Sequence, residues 1–281
     1  MDSPATVSKP LKLLDQIRSA IRLRHYCLRT EDAYVDWAKR FILLHGKRHP
    51  RDMGAVAVEG FLTVERKVAA STQNRAKSAL PFIYKEVLGI DLPWLENAIQ
   101  AKSVLRLPAV LTPRESRTLL HELNGTMWRV VGLLHGTGMR LLEGLRLRVK
   151  DIEFERREIL VRAGKGNKDR VTVLPENLIL PLQKQMEKAQ QLHNKDLADR
   201  SGAVYMPDAL AHKYPHAAKA WGWQYVFPSP VRSTNPRIGE MRRHHIYEES
   251  VQRGVRTAGK RTGIVKPVTP HVLRYSFATH L

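Results

Sequence analysis

Thiols are almost absent from this chain, and so are long apolar runs. Cys27 is the one cysteine among 281 residues, so neither an internal disulfide nor a metal site built from several cysteines is available. No apolar run approaches the ~20 residues that a membrane-crossing helix needs, which excludes a membrane-spanning protein. The first ten residues, MDSPATVSKP, lack the basic start and apolar core of a signal peptide. These absences predict a cytoplasmic protein.

Acidic residues are scarce relative to basic ones. The 27 Asp and Glu stand against 47 Lys and Arg, which gives a formal net charge of +20 and a pI near 10.3. Such a charge attracts polyanions, nucleic acid first and an anionic membrane surface second. A merely soluble basic protein is the weaker interpretation. The hydrophobic content of 43% indicates a folded protein, and the length allows two domains with cores of their own.

The first third of the chain is predicted to be helical throughout. From Leu11 to about Ala101, apolar residues recur at the spacing of one helix face. Thr30 is predicted to cap the second helix. A later helix, beginning near Ser71, contains Pro81, which should kink it or break an internal hydrogen bond. The polar faces are basic and either meet solvent or contact a phosphate backbone. The candidate DNA contacts on these faces are Arg75 and Lys77.

A domain boundary is predicted after the helical third. The segment Asn97–Val110 has weak periodicity and is interpreted as a linker. A new helix then starts with Thr112 as N-cap, Pro113 at the first helical position and Glu115 as the acid of a capping box. We therefore predict one helical domain over residues 11–104 and a second domain over residues 112–281.

The second domain is predicted to mix helices with a small sheet. A helix from Thr126 to His135 runs into a glycine turn, and Arg140 follows that turn at the start of another helix. The loop AGKGNKD, with Lys165 at its tip, suits a β-hairpin. The predicted strands on either side of these features are Asp151–Phe154, Glu158–Arg162 and Arg170–Pro175. The predicted fold class is therefore mainly α with a small β-sheet.

Four basic residues could together act on a phosphate. His271 and Arg274 share one face of the last helix, because they stand three residues apart. Arg140 and Arg274 could grip the non-bridging oxygens of one phosphate and stabilise a phosphoryl-transfer transition state, as metal ions do elsewhere. Lys165 could give a proton to a departing oxygen, and His271 could share that duty. Taken singly, each residue is better explained as structural or solvated; only the set indicates chemistry.

Three stretches carry a family resemblance. GTGMRLLEGLRLRVKDIEF, AGKGNKDR and TPHVLRYSFATHL resemble the signature blocks of the tyrosine recombinase (phage-integrase) family, in the same order. The resemblance implies that Arg140, Lys165, His271 and Arg274 are catalytic, with Glu143 supporting them. It also implies a helical, SAM-like core-binding domain and a mixed α/β catalytic domain that close around DNA as a C-shaped clamp. No metal ion or other cofactor is implied, and the full-length enzyme is expected to form a homotetramer on DNA.

A finer resemblance is to the integron integrases of bacteria. HYCLRTEDAYVDWAKRFILLHGKRHP, MPDALAHKYPHAAKAWGWQYVFPS and RIGEMRRHHIYEESVQR resemble these enzymes, and residues 193–225 resemble their extra segment. The implied substrates are a double-stranded attachment site and folded single-stranded cassette sites. Trp221, Trp223 and Tyr225 suit stacking on unpaired bases, although buried aromatic rings are common core filling. The further candidate DNA contacts are Lys168, Arg242, Arg243 and His245.

The chain also departs from the family pattern. The nucleophilic tyrosine of the family follows the His-x-x-Arg block at a distance that would place it beyond Leu281, so we expect a partial sequence of a longer enzyme. Tyr275 is the nearest tyrosine, but its adjacency to Arg274 turns it off the face shared with His271. The helix around Phe61 is a few residues short, which should rotate its apolar face.

Two other functions stay open on the sequence alone. A DNA-binding remnant without catalysis would be equally basic and equally divided into two domains. A type IB topoisomerase shares the chemistry of the tyrosine recombinases but relaxes DNA without choosing a site. The integron-like segment argues against the topoisomerase.

Overall fold

The computed structural model describes residues 11–64, 70–92, 107–162, 168–235 and 239–280. The chain forms two compact units, Met1–Arg106 and Leu107–Leu281. Both are mainly helical, and two small sheets lie in the second, which confirms the predicted fold class. Within these ranges, no helix combines the length and the apolar character needed to cross a membrane.

The described part of the first unit is helical. Its elements are α1 (Leu13–Leu23), α2 (Leu28–Leu44), a 3-10 turn (Pro50–Asp52), α3 (Ala55–Val64), α4 (Ala70–Phe82) and a π-helical segment (Ile83–Leu88). The π-helical segment continues directly from α4. It ends at Gly89, which adopts the left-handed conformation with φ +67°, as glycine does at many helix C-termini.

Pro81 explains the change of helix type. It lies inside α4, one residue before that helix ends. Proline has no N–H to donate, and its ring clashes with the carbonyl four residues earlier. A wider π-helical turn is one of the ways in which a helix absorbs such a break. The chain passes from α4 into the π-helical segment shortly after Pro81, and the kink expected at Pro81 stays a prediction.

Aromatic side chains fill the core of the first unit. Phe41 and Phe61 are each 1% exposed and meet edge to face, with ring centroids 5.3 Å apart. The hydroxyl of Tyr84 donates toward the carbonyl oxygens of Pro50, at 3.0 Å, and Met53, at 2.9 Å. Burial raises the pKa of Tyr84 to about 12. These contacts tie the end of the unit to the turn between α2 and α3.

One sequence prediction about this unit is wrong, and a second stays a prediction. The helix α2 begins at Leu28 with Cys27 as its N-cap, so Thr30 lies inside the first turn and contacts the Cys27 sulfur at 3.3 Å. Val58 and Phe61, which are buried, precede the shortened stretch of α3 and do not test the expected rotation. The shortened stretch that prompted the second expectation extends into residues 65–69, which lie outside the described ranges.

The second unit carries seven helices among its described residues. They are α5 (Pro113–His121), α6 (Gly125–Thr137), α7 (Leu141–Leu145), α8 (Ile179–Ala198), α9 (Asp208–Lys213), α10 (Glu248–Arg261) and α11 (Pro270–His280). The capping box of α5 is present: the Glu115 N–H donates to Thr112 Oγ1 at 3.1 Å, and the Thr112 N–H donates to Glu115 Oε2 at 2.7 Å. The predicted capping box is thus confirmed.

Two antiparallel sheets accompany these helices. The first holds β1 (Ile152–Glu153), β2 (Glu158–Val161) and β3 (Arg170–Val173), and the second holds β4 (Ser233–Thr234) and β5 (Met241–Arg242). In the first sheet, Ile159 pairs with Thr172 and Val161 with Arg170. The three predicted strands exist, each shorter than expected by one or two residues. The pair Val161–Arg170 closes the ladder at the end nearest the Lys165 segment.

Close packing at Gly138 sets the position of α11. Gly138 ends α6 in the left-handed conformation, with φ +62°, and a Cβ there would collide with the ring of Phe277. Glycine is therefore required both for the backbone conformation and for the approach of α11. Ser276 adds a second attachment, because its Oγ accepts from the Leu111 N–H at 2.9 Å and donates to the Val272 carbonyl at 2.8 Å.

Candidate phosphate-binding site

Arg140 precedes α7, and both its backbone and its side chain are hydrogen-bonded to Glu143. Its N–H donates to Glu143 Oε2 at 2.9 Å, and its Nη1 donates to Glu143 Oε1 at 2.8 Å. The side chain stays 35% exposed. The glycine turn that precedes it gives the sharp change of direction from α6 into α7. Arg140 is thus fixed in place while part of its guanidinium faces solvent.

Arg274 reaches the same turn from the other end of the unit. Its Nη1 donates to the carbonyl oxygen of Gly138, two residues before Arg140. Burial lowers the pKa of Arg274, and the positive charge of Arg140 lowers it further. A guanidinium remains protonated under these conditions. The structure therefore brings together the two arginines that the sequence predicted to grip one phosphate.

Glu143 is the buried carboxylate that pairs with Arg140. Its side chain is 8% exposed, and it accepts from Arg170 as well as from Arg140: Arg170 Nη2 lies 2.6 Å from Oε2, and Nη1 lies 3.2 Å from Oε1. Burial alone would raise the pKa of Glu143. The hydrogen bonds from Arg170 and Arg140 outweigh burial and hold that pKa at about 2. Glu143 is therefore ionised at neutral pH.

The cluster formed by Arg140, Glu143, Arg170 and Arg274 carries a net positive charge. Three guanidiniums surround one carboxylate, and the side chains of Arg140 and Arg170 are 35% and 36% exposed. Partly exposed guanidinium edges can still donate to the oxygens of an incoming anion, and paired N–H donors match a phosphate. This phosphate cluster has the charge and the donor geometry that a phosphodiester would need.

His271 lies one helical turn before Arg274 on α11. Its side chain is exposed, whereas Val272 and Leu273 on the opposite side of the helix are buried. His271 thus lies on the solvent-facing side of α11, and its part in the chemistry stays a prediction. Tyr275, 45% exposed, follows Arg274 directly. Lys165 falls in residues 163–167, outside the described ranges, so its placement stays a prediction.

Four of the predicted DNA contacts reach solvent to different extents. Arg75 and Lys168 are exposed, and Lys77 is partly exposed. Their positions are compatible with contact to a phosphate backbone. Arg242 is partly buried, and its Nε donates to Glu240 at 2.9 Å, as does its Nη2, so part of its guanidinium is already engaged nearby.

Two further candidates are interior residues. Arg243 is 8% exposed, donates to both oxygens of Asp196, and donates to the Ser229 carbonyl at 2.6 Å. His245 is 6% exposed; burial lowers its pKa to about 4, helped by neighbouring His244. The geometry corrects the expectation of direct DNA contact for Arg243 and His245. Both are enclosed by the protein, and His245 is uncharged at neutral pH.

The aromatic residues of the segment 193–225 have unequal surroundings. Tyr225 is 4% exposed, and the Arg148 guanidinium covers its ring at 3.9 Å, so it is a core residue rather than a stacking platform. Trp221 is stacked on His193 with centroids 6.1 Å apart. Trp223 carries the Lys150 ammonium 2.9 Å from its ring centroid and lines an open apolar cleft of about 510 Å³.

Arg148 fastens this segment to the start of the first sheet. Its Nη1 donates to the Trp223 carbonyl at 2.6 Å, and its Nη2 donates to the Tyr205 carbonyl at 2.8 Å. Arg148 was not singled out in the sequence, because its partners lie 57 and 75 residues away. A positive charge inside a basic motif gives no signal of a structural role.

Comparison with known proteins places these features in a family. The model of the phage integrase family matches residues 109–281, and the model of the phage integrase N-terminal SAM-like domain matches residues 13–94. The first match covers the phosphate cluster and more than half of the chain. The chain belongs to the phage integrase family.

Curated relatives span nearly the whole chain. Proteins named integrase/recombinase from Escherichia coli and Pseudomonas aeruginosa are each 48% identical over 282 residues, covering 99% of this chain and 84% of the relative. A tyrosine recombinase XerA from Thermococcus kodakarensis is 26% identical over 98% of the chain and 83% of its own length. Family membership supports site-specific DNA recombination as the activity.

Solved structures support the fold. A λ integrase dimer bound to a core site has a TM-score of 0.61 and 17% identity, covering 95% of this chain and 84% of that chain. A transposon integrase in complex with a circular intermediate DNA has a TM-score of 0.58 and 17% identity, covering 97% and 87%. At these identities the likeness establishes the architecture alone.

Arg170 is the one residue of the phosphate cluster that sequence reasoning missed. The sequence places it at the start of a strand, 27 residues after Glu143. A buried acid needs a compensating charge, but the sequence does not reveal which of the many arginines supplies it. Only the pairing of β2 with β3 brings Arg170 to Glu143.

Proposed function

We propose that this protein is a site-specific DNA recombinase of the integron type, which integrates and excises gene cassettes. The observation that carries the proposal is the meeting of Arg140 and Arg274 at the Gly138 turn in a phage integrase. Their sequence separation is large, and both sit in signature blocks. A basic chain with a net charge of +20 supports DNA as the substrate.

In the proposed reaction, Arg140 and Arg274 bind the non-bridging oxygens of the scissile phosphate. Charge builds on these oxygens as a tyrosine oxygen attacks phosphorus, and guanidiniums already in place stabilise that charge. The 5′-oxygen leaves and takes a proton from Lys165, while His271 assists proton transfer. The product is a 3′-phosphotyrosine and a free 5′-hydroxyl. Attack by the 5′-hydroxyl of another strand then reverses the step and releases the tyrosine.

The proposal assigns the nucleophile to a segment that continues from α11. The charge of Tyr275 interacts with Arg274, and Tyr275 shares the His271 side of the helix, four residues later. It leaves the helix about 100° around the axis from Arg274, and we propose that it is not the nucleophile. The step needs no bond to a metal ion, because the guanidiniums supply the positive charge. The phosphate-activating groups and the nucleophile are therefore proposed to come from different parts of the enzyme.

The segment 193–225 is proposed to receive unpaired bases of folded single-stranded cassette sites. Trp223 lines the 510 Å³ cleft together with Tyr214, Pro215 and His216, and apolar or aromatic walls suit the faces of a base. Lys150 and Lys213 sit beside this cleft and could contact the adjoining phosphates. Double-stranded attachment sites would make less use of this cleft, and four protomers are proposed to assemble on paired sites.

A second candidate is a DNA-binding protein without catalysis. It is favoured by the direction of Tyr275, which leaves α11 about 100° around the helix from Arg274. The reading frame decides between them. An open frame that runs past codon 281 into a tyrosine-bearing segment supports the recombinase, and a stop codon at that point supports the remnant.

Covalent trapping on a nicked DNA substrate tests the proposed activity. The gene product, with any segment encoded past codon 281, should form a protein–DNA adduct that survives SDS. Arg140→Ala should slow adduct formation by about 10²-fold or more. Arg256→Ala replaces an exposed arginine on α10 and should leave the rate unchanged. An Arg140→Ala protein that forms the adduct at the wild-type rate would refute the assignment.

A further inference from the structure

Arg170 joins two elements that the sequence keeps apart. It is the first residue of β3 and makes a two-pronged contact with Glu143, the third residue of α7, at 2.6 and 3.2 Å. Glu143 in turn holds both the backbone and the guanidinium of Arg140. One carboxylate therefore links β3, the start of α7 and a phosphate-binding arginine.

The charges at this link favour a specific role for Arg170. A buried carboxylate paired with Arg140 alone would draw that guanidinium onto itself and cancel most of its charge. With a second guanidinium on the carboxylate, Glu143 is neutralised by Arg170, and Arg140 keeps positive charge for an incoming phosphate. Arg274 adds to this positive field, because it lies close enough to both arginines for their charges to interact.

We propose that Arg170 is a positioning residue, which acts through Glu143 to orient Arg140 and to preserve its charge for the scissile phosphate. The inference rests on the proposed recombinase function and deepens it. Arg170 also pairs with Val161 at the end of the sheet. In sequence, the segment that carries Lys165 lies between these two residues. The contact between Arg170 and Glu143 thus holds the start of β3, the strand that follows this segment in sequence.

Geometry explains why arginine is required at this position. A planar guanidinium offers two parallel N–H donors that match both oxygens of a carboxylate, whereas a lysine ammonium offers a point charge on a flexible stem. The observed contacts use both Glu143 oxygens. Arg170→Lys keeps the charge but loses the fork, and Arg170→Gln loses the charge.

The adduct rate on a nicked substrate and the DNA dissociation constant together test the role. Arg170→Gln should slow adduct formation by about 10-fold or more, because small misplacements of a catalytic group carry such losses, with the dissociation constant within about twofold of the wild type. Arg170→Lys should recover part of the rate. Arg156→Gln, which replaces a 76% exposed arginine in the turn between β1 and β2, is the matched control and should behave as wild type.

A double substitution distinguishes positioning from a merely structural role. Arg170→Gln leaves a buried carboxylate that binds Arg140 alone, so adding Glu143→Gln should restore part of the lost rate by freeing the Arg140 charge. If Arg170 only stabilised the fold, the double variant would be at least as slow as Arg170→Gln. That result would overturn the inference, as would a wild-type adduct rate in Arg170→Gln.

An activity-independent measurement separates this inference from the proposed function. In the NMR spectrum of the DNA-free protein, the guanidinium N–H signals of Arg140 should report slower rotation in Arg170→Gln than in the wild type, because Glu143 then holds Arg140 alone. An unfolded variant would show fast rotation instead. A wild-type protein that forms no adduct would refute the proposed function. The NMR measurement would still test the role of Arg170, because it does not depend on adduct formation. Arg140 signals that are the same in both proteins would overturn the inference.

Discussion

Glu143 and Asp196 are both buried carboxylates held by arginines, yet their surroundings differ. The side chain of Glu143 is 8% exposed, and its partner Arg140 stays 35% exposed. The side chain of Asp196 is 3% exposed, and its partner Arg243 only 10%; Arg243 also donates to the Ser229 carbonyl. The first arrangement leaves guanidinium edges open to an anion, and the second leaves almost none. Both sites contain an arginine paired with a buried acid. What separates a binding site from a structural pair is whether the guanidinium is exposed enough to contact a further anion.

Breaking the interior pair should have the largest effect on stability. Asp196→Asn leaves the Arg243 guanidinium buried without its counter-charge, which costs about 3–5 kcal/mol of unfolding free energy. Urea denaturation measures the loss. Asp199→Asn is the matched control, because the Asp199 carboxylate is 44% exposed and its ion pair contributes about 1 kcal/mol or less. Equal losses in the two variants would contradict the assignment of Asp196 to the interior.

Breaking the phosphate cluster should change rate more than stability. Arg274→Ala removes one of two guanidiniums from the scissile phosphate, and we expect a loss of about 10²–10³-fold in adduct formation. The urea midpoint should change far less than in Asp196→Asn, since Arg274 is partly exposed. Single-turnover trapping on a nicked substrate measures the rate. A large stability loss with an unchanged rate would reverse the roles given to the two clusters.

Acid should weaken the phosphate cluster through Glu143. The folded-state pKa is about 2, below the value of about 4.3 in an unfolded chain. A depressed pKa stabilises the fold above the unfolded value, and this stabilisation is lost as the pH falls from about 5 toward 2. The wild type should lose about 2–3 kcal/mol more than Glu143→Gln across this range. Glu158→Gln, at a 45% exposed carboxylate, should keep the wild-type pH dependence.

The smallest expected effect concerns salt. Lys168 is exposed, so Lys168→Ala should reduce the slope of log affinity against log salt by about 1, the loss of one phosphate contact. Arg243→Lys should leave the slope unchanged, because residue 243 is enclosed by the protein. Fluorescence anisotropy over a salt series measures both. A lower slope in folded Arg243→Lys protein would show that Arg243 reaches DNA after all.

Several local features of the second unit could be predicted from neighbouring residues in the sequence. The capping box at Thr112 and the glycine turn before Arg140 depend on residues within a few positions of each other, and both occur in the structure. The helical spacing of His271 and Arg274 is equally local. Helix caps, glycine turns and helical spacing can be predicted here because each depends on hydrogen bonds between residues a few positions apart.

Long-range pairings could not be predicted in the same way. Arg243 finds Asp196 across 47 residues, Arg170 finds Glu143 across 27, and Arg148 finds Trp223 across 75. In a chain with 47 Lys and Arg, every acid has many possible partners. Which arginine turns inward is decided by strand pairing and core packing, so the sequence alone misassigned Arg243 and overlooked Arg170.

An SDS gel of the 281-residue chain bound to DNA tests the central claim most directly. The proposal under test is that these residues bind DNA and carry the phosphate-activating groups, and that none of their tyrosines is the nucleophile. We predict binding that weakens by ~10³ or more between 50 and 200 mM salt if six or more phosphates are touched, and no adduct that survives SDS. A surviving adduct would contradict the claim, because it would require a nucleophile within these residues, with Tyr275 the first to be replaced by phenylalanine.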